Sequence, residues 1–204
     1  MSQVAVIDYG MGNLKSVHNA LEHLGAEGVT VSAPEDVLSA ERLILPGVGA
    51  FGAAMNELCL RGLDSAIGQY IRSGRPFLGI CLGQQLLFSR SEESPGISGL
   101  DCFPGYVARL CAPGRKIPEV GWNSLDFVGD SPLFRGVDSG CYVYFTHSFC
   151  VHADDAGQVI SRTEYGGEFD SAVQNGNAFA VQFHPEKSGD VGLVMLKNFL
   201  DLSY

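Results

Sequence analysis

Short apolar runs alternate with amphipathic segments through the first half of the chain. The apolar runs are typical of buried strands and lie at 4–8, 28–32, 42–45 and 77–80. The segments between them place apolar residues at helical spacing and lie at 14–24, 34–40, 53–73 and 82–88. Because such alternation builds parallel sheets covered by helices, we predict an α/β fold of three layers, with a mostly parallel central sheet and helices on both faces.

Strand-like patterns dominate the second half. They lie at 103–110, 141–151, 158–162, 169–174 and 178–183. The last two flank Asn175-Gly176-Asn177, which is a strong hairpin signal. A final helix is expected at about 190–202, with Ser188 as its cap. This half therefore predicts an antiparallel portion added to the sheet, and the lack of a linker or repeat predicts a single domain over 1–204.

Composition is that of a folded globular chain and argues against several classes of protein. Hydrophobic residues make up 46% and charged residues 18% of the 204 positions, which excludes a disordered chain. The net charge of −10 argues against a nucleic-acid surface, which would need a basic stripe. No apolar run approaches the roughly 18 residues of a membrane span, so we expect no membrane association.

The six cysteines show no pair with the C-x-x-C spacing of a zinc or redox site. A chain of this size and apolarity does not need disulfides to fold. Residues 1–8 also lack the features of a signal peptide. We therefore expect reduced thiols in a cytoplasmic protein, with neither a metal nor an organic cofactor.

The pentapeptide Gly79-Ile80-Cys81-Leu82-Gly83 has the pattern of a nucleophile elbow. A predicted strand enters it and a predicted helix leaves it, and the small residues on both sides allow strand and helix to pack closely around a strained nucleophile. The N–H groups and positive dipole end of that helix would favour the thiolate of Cys81, which is the reactive form. A buried core cysteine after a strand is the alternative that the pentapeptide alone leaves open.

His184 is the candidate base for this nucleophile. It ends the predicted strand at 178–183 and precedes Pro185, which favours extended backbone. Since residues two apart in an extended chain point the same way, Glu186 can orient the imidazole. Loops at the carboxyl ends of parallel strands form one crevice, so the predicted catalytic set is Cys81, His184 and Glu186. The alternative is a histidine that precedes a helix by chance.

These motifs resemble those of the class I (triad) glutamine amidotransferases. The resemblance rests on the pentapeptide at 79–83, on Gln84-Gln85 after it, and on Phe183-His184-Pro185-Glu186. Further segments resemble the histidine-biosynthesis branch of this family, and they lie at 8–14, 45–51, 121–123, 144–148 and 184–188. Together the matching segments span nearly the whole chain.

The resemblance implies a glutaminase that hydrolyses L-glutamine to glutamate and ammonia. Cys81 would attack the side-chain amide, and His184 would carry the proton. The backbone N–H groups of Leu82 and Val48 would hold the oxyanion. The glycines on both sides of Val48 would permit a peptide flip that completes this hole, whereas the alternative for the segment is a simple strand-ending turn.

The resemblance also implies contacts for the substrate and for a partner. The substrate-binding positions are Gly49, Gln85, His147 and Ser148, and the partner-interface positions are Trp122 and Lys187. A satisfied structural histidine remains an alternative for His147. A solvated lysine remains an alternative for Lys187, and a core or surface anchor for Trp122.

A partner is expected because ammonia release needs an acceptor, and the chain has no phosphate-binding glycine-rich loop for a second active site. By resemblance, the partner is a (β/α)₈-barrel cyclase that forms a heterodimer with this chain. It would use the ammonia to make imidazole glycerol phosphate and AICAR.

The chain departs from the branch pattern at several positions. Glu119 and Val120 replace the usual histidine and methionine, Gln84 replaces a methionine, and Phe149 replaces a tyrosine. These departures leave room for a close paralogue that feeds ammonia to a different synthase. A catalytically silent binding subunit and a cysteine peptidase with the same elbow are also compatible with the sequence.

Overall fold

The computed structural model describes residues 3–203, so residues 1, 2 and 204 of the predicted domain lie outside the described range. The helices are α1 (Leu14–His23), α2 (Pro34–Ser39), α3 (Phe51–Leu60), α4 (Leu63–Arg72), α5 (Leu82–Leu86) and α6 (Gly189–Leu200). Within 3–203, no helix has the length and apolar character needed to cross a membrane.

The strands begin with the set that alternates with helices: β1 (Gln3–Ile7), β2 (Glu27–Val31), β3 (Leu43–Gly47), β4 (Phe77–Cys81) and β5 (Phe88–Ser91). The remaining strands are β6 (Phe103–Arg109), β7 (Glu119–Ser124), β8 (Asp126–Phe127), β9 (Tyr142–His147), β10 (Phe149–Ala153), β11 (Val159–Glu164), β12 (Glu168–Asn175) and β13 (Ala178–Val181).

A large mixed sheet forms the centre of the fold, with the strand order β2-β1-β3-β4-β13-β12-β10-β6-β5. The neighbours from β2 to β13 run parallel, whereas β12, β10 and β6 pair antiparallel. Strand β11 also pairs with β12, and β8 pairs with β11, both antiparallel. The predicted fold class is confirmed, including the antiparallel portion and the β12–β13 hairpin.

Alternate residues of the parallel strands face two apolar layers. On β1, Val4 and Val6 pack in the core that contains α1 and α6. Ala5 and Ile7 pack in the opposite core, which contains residues of α2, α3, α4 and α5. Burial on both faces explains why these strands are continuously apolar in sequence.

The segment 53–73, predicted as one helix, forms two helices that are separated at Gly62. This residue has φ of +68°, a left-handed conformation that interrupts a helix and that glycine adopts at little cost. The prediction of a single long helix was therefore wrong, because the apolar periodicity continues across the break.

The segment 141–151, predicted as one strand, forms β9 and β10, which separate at Ser148. Strand β9 pairs with β7 in a separate antiparallel ribbon, whereas β10 pairs with β6 and β12 in the main sheet. Strand β7 was not predicted. The change of sheet at Ser148 brings the segment 146–149 beside the ends of β4 and β13, where Thr146 O lies 3.9 Å from Cys81 Sγ.

Ser188 lies at the start of α6 but, contrary to the prediction, does not cap the helix with its side chain. Its hydroxyl instead donates to His184 O at 2.7 Å and accepts from the Tyr144 N–H at 3.0 Å. Ser188 thus ties the loop after β13 to β9.

Candidate active site

Cys81 lies where β4 ends and α5 begins, with φ of 56° and ψ of −110°. Few residues other than glycine adopt a positive φ, so this backbone is strained. A Cβ atom on Gly83 would overlap the Leu45 carbonyl, and one on Gly79 would lie 2.9 Å from Gly83 O. The two glycines therefore allow the strand, turn and helix to pack closely around the cysteine.

The sulfur of Cys81 is buried beside polar groups from two other elements. Gln182 Nε2 donates towards Sγ at 3.7 Å, and Thr146 O lies on another side of the sulfur. The thiol is thus enclosed by a donor and an acceptor, and it faces a cavity.

His184 follows β13, the neighbour of β4 in the sheet. Its backbone is extended, with φ of −103° and ψ of 93°. Nδ1 lies 2.8 Å from Glu186 Oε1, and the two side chains are 3% and 2% exposed. Because a carboxylate only accepts, Nδ1 donates to it. The other nitrogen, Nε2, is buried and has no hydrogen-bond partner closer than 3.5 Å among residues 3–203.

The charge of His184 is set by its two neighbours. Burial lowers the pKa of His184, but interactions with Cys81 and Glu186 raise it by more, to about 9. The two contacts therefore favour the protonated form of the imidazole. A buried imidazolium with Nε2 free of other partners can give a proton to a leaving group bound at Cys81.

The turn after β3 lies beside the Cys81 turn, since Gly47 pairs with Cys81 in the parallel register. A Cβ atom on Gly47 would lie 2.6 Å from Tyr9 Oη and 2.9 Å from Leu82 Cβ. Gly49 has φ of +102°. Glycine is thus required at 47 by close approach and favoured at 49 by conformation.

A cavity of about 320 Å³ opens beside Cys81, a volume at the small end of ligand pockets. Its lining includes Cys81, His184 and the predicted oxyanion and substrate positions: Val48, Gly49, Leu82, Gln85, His147 and Ser148. Further lining residues were not singled out for the site in the sequence: Glu93, Pro118, Thr146 and Phe149. Glu186 lies behind His184 and does not line the cavity.

Gln85 stabilises one wall of this cavity through hydrogen bonds. Its Nε2 donates to Phe149 O at 2.9 Å and lies 3.0 Å from Gln182 Oε1. Both bonds use the amide nitrogen, so the amide oxygen of Gln85 remains available to a ligand.

His147 is engaged by the protein at both ring nitrogens. Nδ1 lies 2.8 Å from Phe149 O, and Nε2 lies 3.0 Å from Glu119 Oε2. The ring is buried and also contacts Phe145 and Phe169. These contacts favour the structural alternative for its ring.

Gln182 and Glu119 lie outside the cavity lining, and neither was assigned to the site from the sequence. Gln182 lies two positions before His184 in extended chain, so the alternation of side chains could have indicated it. Glu119 carried no such local signal, because its contact with His147 arises only when β7 pairs with β9.

The predicted interface residues lie on either side of Tyr144. The rings of Trp122 and Tyr144 are 6.2 Å apart, and Lys187 Nζ lies 5.9 Å from the Tyr144 ring centroid. Val120, Trp122 and Tyr142 are exposed on the same face of the β7–β9 ribbon. We call Val120, Trp122, Tyr142 and Tyr144 the ribbon face.

Comparisons of the sequence with known proteins agree along nearly the whole chain. The family model "Glutamine amidotransferase class-I" matches residues 5–202. "Imidazole glycerol phosphate synthase subunit HisH" of Methanothermobacter thermautotrophicus is 48% identical over 98% of this chain and 98% of its own. The protein of the same name from Moorella thermoacetica is 50% identical over 99% of this chain and 96% of its own.

A longer relative contains the same region. "Imidazole glycerol phosphate synthase hisHF, chloroplastic" of Arabidopsis thaliana is 48% identical over 98% of this chain, but the match covers 34% of that protein. This chain therefore corresponds to about a third of the plant protein.

Solved structures share the fold at lower identity. A protein described as a glutamine amidotransferase has a TM-score of 0.75 at 23% identity, covering 96% of this chain and 98% of its own. PurLQS from Thermotoga maritima has a TM-score of 0.74 at 23% identity, covering 98% and 97%. Since the sequence relatives are far more similar, they and the family model show that the chain belongs to the class I glutamine amidotransferases and, within them, to the HisH family.

Proposed function

We propose that this chain is the glutaminase subunit of an imidazole glycerol phosphate synthase and hydrolyses L-glutamine to glutamate and ammonia through Cys81, His184 and Glu186. The observation that carries the proposal is the buried His184 imidazole. It is held by Glu186 at 2.8 Å, and it lines a cavity of about 320 Å³ together with a cysteine in a strained turn.

In the first half of the proposed reaction, the Cys81 thiolate attacks the side-chain carbonyl carbon of glutamine. The new C–S bond leaves a negative charge on the carbonyl oxygen, which the N–H groups of Leu82 and Val48 stabilise. His184 gives the proton on Nε2 to the amide nitrogen. The C–N bond then breaks, ammonia leaves and a glutamyl thioester remains on Cys81.

In the second half, His184 is neutral and acts as the base. It takes a proton from water, and the resulting hydroxide attacks the thioester carbon. The C–S bond breaks, glutamate leaves and the thiolate–imidazolium pair is restored. Glu186 holds the ring with Nε2 towards the substrate in both halves of the reaction.

The oxyanion hole is completed by the turn after β3. Leu82 N–H lies next to the nucleophile by the geometry of the elbow. Val48 lines the same cavity between two glycines, and Gly49 has φ of +102°, a conformation that few other residues adopt. Rotation of the Gly47–Val48 peptide would direct the second N–H towards the oxyanion.

The substrate's polar groups would be held by Gly49, Gln85 and Ser148, and His147 would support the cavity wall beside them. The free amide oxygen of Gln85 suits the α-ammonium or another N–H donor of glutamine. Ser148 offers a hydroxyl between β9 and β10. His147 acts indirectly, because it holds the Phe149 carbonyl in the cavity wall.

The ammonia passes to a (β/α)₈-barrel cyclase of the HisF type, which forms a heterodimer with this chain and makes imidazole glycerol phosphate and AICAR. Two observations support a partner. The similar proteins are described as subunits of a synthase, and the plant relative is a longer chain called hisHF. The exposed ribbon face, with Trp122 and the neighbouring Lys187, offers the apolar and aromatic surface that interfaces favour.

We further propose a single glutamine amidotransferase domain over 1–204 in a cytoplasmic protein. The family model covers 5–202, and all six cysteines are free thiols, as a reducing compartment requires.

Covalent trapping tests the assignment of the nucleophile. A chloroketone analogue of glutamine should modify Cys81 in the wild-type chain, and glutamine should protect it. Exposed Cys59 and Cys111 provide internal controls, because glutamine should not change their labelling. Labelling that glutamine does not suppress at Cys81 would contradict the proposal.

A further inference from the structure

A buried chain of hydrogen bonds begins at Glu119 on β7. Glu119 Oε1 accepts from Asn123 Nδ2 at 2.9 Å, and Oε2 lies 3.0 Å from His147 Nε2. His147 Nδ1 donates to Phe149 O at 2.8 Å. The carboxylate of Glu119 is thus linked through one imidazole to a carbonyl in the wall of the glutamine cavity.

The chain continues from that carbonyl to the nucleophile. Phe149 O accepts a second bond, from Gln85 Nε2, which in turn lies 3.0 Å from Gln182 Oε1. Gln182 Nε2 donates towards Cys81 Sγ at 3.7 Å. The contacts are therefore continuous from Glu119 to the sulfur.

Donor and acceptor roles along this chain are largely fixed. A carbonyl only accepts, so His147 Nδ1 carries a hydrogen, and a second proton must lie between Nε2 and the oxygen of Glu119. The orientation of the Asn123 amide is also fixed. Its Oδ1 accepts from Ser124 N–H at 2.8 Å, and its Nδ2 also donates to Glu164 O at 2.9 Å. The side chain at position 119 must therefore accept a hydrogen bond from Asn123 Nδ2 and form a second one with His147 Nε2.

Burial makes these bonds costly to lose. The side chains of His147 and Glu119 are 2% and 3% exposed, so water cannot readily replace a missing partner. The His147 ring is also held by Phe145 and Phe169, with ring centroids 5.6 Å and 5.1 Å away. A His147 ring without its carboxylate would have to move, and Phe149 O would move with it.

We propose that Glu119 is a positioning residue for glutamine: acting through His147, it fixes the Phe149 carbonyl and Gln85 in the arrangement that the substrate requires. The inference rests on the proposed glutaminase function of the cavity. Glu119 does not line the cavity, so its effect on the substrate is indirect.

The test compares two substitutions of Glu119 in glutamine hydrolysis by the chain with its barrel partner. Glu119→Ala leaves Asn123 and His147 without their buried acceptor, and KM for glutamine should rise about tenfold while kcat falls by less than about threefold. Glu119→Gln can accept from Asn123 and donate to Nε2 of neutral His147. Its KM should return to within about twofold of the wild type.

Asp170→Ala is the matched control. Asp170 is a buried carboxylate outside the chain of bonds, and it accepts from Ala153 N–H at 2.9 Å and Arg162 Nε at 3.1 Å. Its removal should lower the melting temperature without changing KM. An equal rise of KM in Asp170→Ala and Glu119→Ala would show a general loss of stability and overturn the positioning role.

Calorimetric binding of glutamine in the Cys81→Ala background separates this inference from the proposed reaction, because it needs no turnover. The dissociation constant should rise about tenfold on adding Glu119→Ala and little on adding Glu119→Gln. If Glu119→Ala does not fold, Asn123→Ala replaces it in the test. Asn123 lies at the half-buried end of the hydrogen-bond chain, and its substitution should raise the dissociation constant for glutamine about threefold. An unchanged constant in the folded variants, or equal impairment by Gln and Ala at 119, would overturn the proposal. Absence of turnover with normal glutamine binding would instead contradict only the reaction.

Discussion

At the scale of single residues, Glu186 orients His184 and, together with Cys81, sets its charge. Its Oε1 accepts a hydrogen bond from His184 Nδ1, with 2.8 Å between the two atoms. Its charge also helps to raise the pKa of His184 to about 9. The same contact leaves Nε2 as the nitrogen for proton transfer. One buried carboxylate thus fixes the orientation of the ring and contributes to its protonation.

Glu186→Gln should lower kcat for glutamine hydrolysis by about a hundredfold or more, with a smaller change in KM. The amide keeps the size of the side chain but removes the charge that favours the imidazolium. Steady-state glutamate release measures both constants. A kcat within about threefold of the wild type would contradict the assigned role of Glu186.

The raised pKa of His184 also predicts how stability depends on pH. The folded-state pKa of about 9 lies above the ordinary value of 6.5, so folding strengthens proton binding at this group. Its contribution is fully present below pH 6.5 and is lost as the pH rises through about 9. Urea unfolding of the wild type and of His184→Asn should therefore show a difference in unfolding free energy that declines across this window. A difference independent of pH would contradict the raised pKa.

The relation between His184 and Glu186 could be predicted because it is local. Pro185 favours extended backbone at His184, and the positions two apart then share a side. The contact between Glu119 and His147 could not be predicted in this way. It joins residues 28 positions apart and exists only through the pairing of two strands.

At the scale of secondary-structure elements, the site depends on two turns that meet at the carboxyl ends of β3 and β4. Cys81 adopts a positive φ in one turn, and Gly49 does so in the other. The parallel pairing of Gly47 with Cys81 sets the two turns side by side. The spacing between Cys81 and the proposed oxyanion donors is thus determined by sheet register.

Gly49→Ala should lower kcat about tenfold while leaving a folded protein. A side chain at φ of +102° is strained, so the turn would shift, and the flexible end of Met11, with Cε 2.6 Å from the added Cβ, would move aside. Gly25→Ala is the matched control, because Gly25 has φ of +73° with no atom within 4 Å of an added Cβ and lies away from the site. It should cost about 1 kcal/mol of stability without affecting kcat. Full activity in Gly49→Ala would contradict the role of this turn.

Most parallel strands could be predicted from apolar runs, but the divisions at Ser148 and Gly62 could not. The alternation in 141–151 continues through Ser148, so the division into β9 and β10 comes from their different partners in space. The apolar periodicity likewise crosses Gly62, where a left-handed residue separates α3 from α4. Strand β7 was missed because its outward face carries the exposed Val120 and Trp122.

At the scale of the whole molecule, the sheet places the cavity and the ribbon face near each other. His147 at the end of β9 lines the cavity, and Trp122 and Tyr144 lie on the same β7–β9 ribbon. Lys187 lies three residues after His184 and reaches the Tyr144 ring. A partner docked on the ribbon face would therefore contact elements that form the active site.

Trp122→Ala should weaken binding of the barrel partner about thirtyfold, as expected when an interface loses an aromatic anchor worth about 2 kcal/mol. Trp122 is 56% exposed, so the fold should be retained. Leu60→Ala is the control, since Leu60 is 80% exposed at the end of α3 and lies outside the ribbon face. Calorimetric titration with the barrel partner measures the affinity of both variants. Equal affinities for Trp122→Ala and wild type would contradict this docking surface.

Coupling between the glutaminase and its partner is tested by measuring glutamate release from glutamine by the purified chain, alone and with the barrel cyclase and its nucleotide ligand. We expect weak release by the chain alone, strong stimulation by the liganded barrel, and no release in either state by Cys81→Ala. Cys81→Ala should still bind the barrel, because the thiol is buried and is not part of the ribbon face. Equal release with and without the barrel would contradict the coupled synthase, and release by Cys81→Ala would contradict the nucleophile.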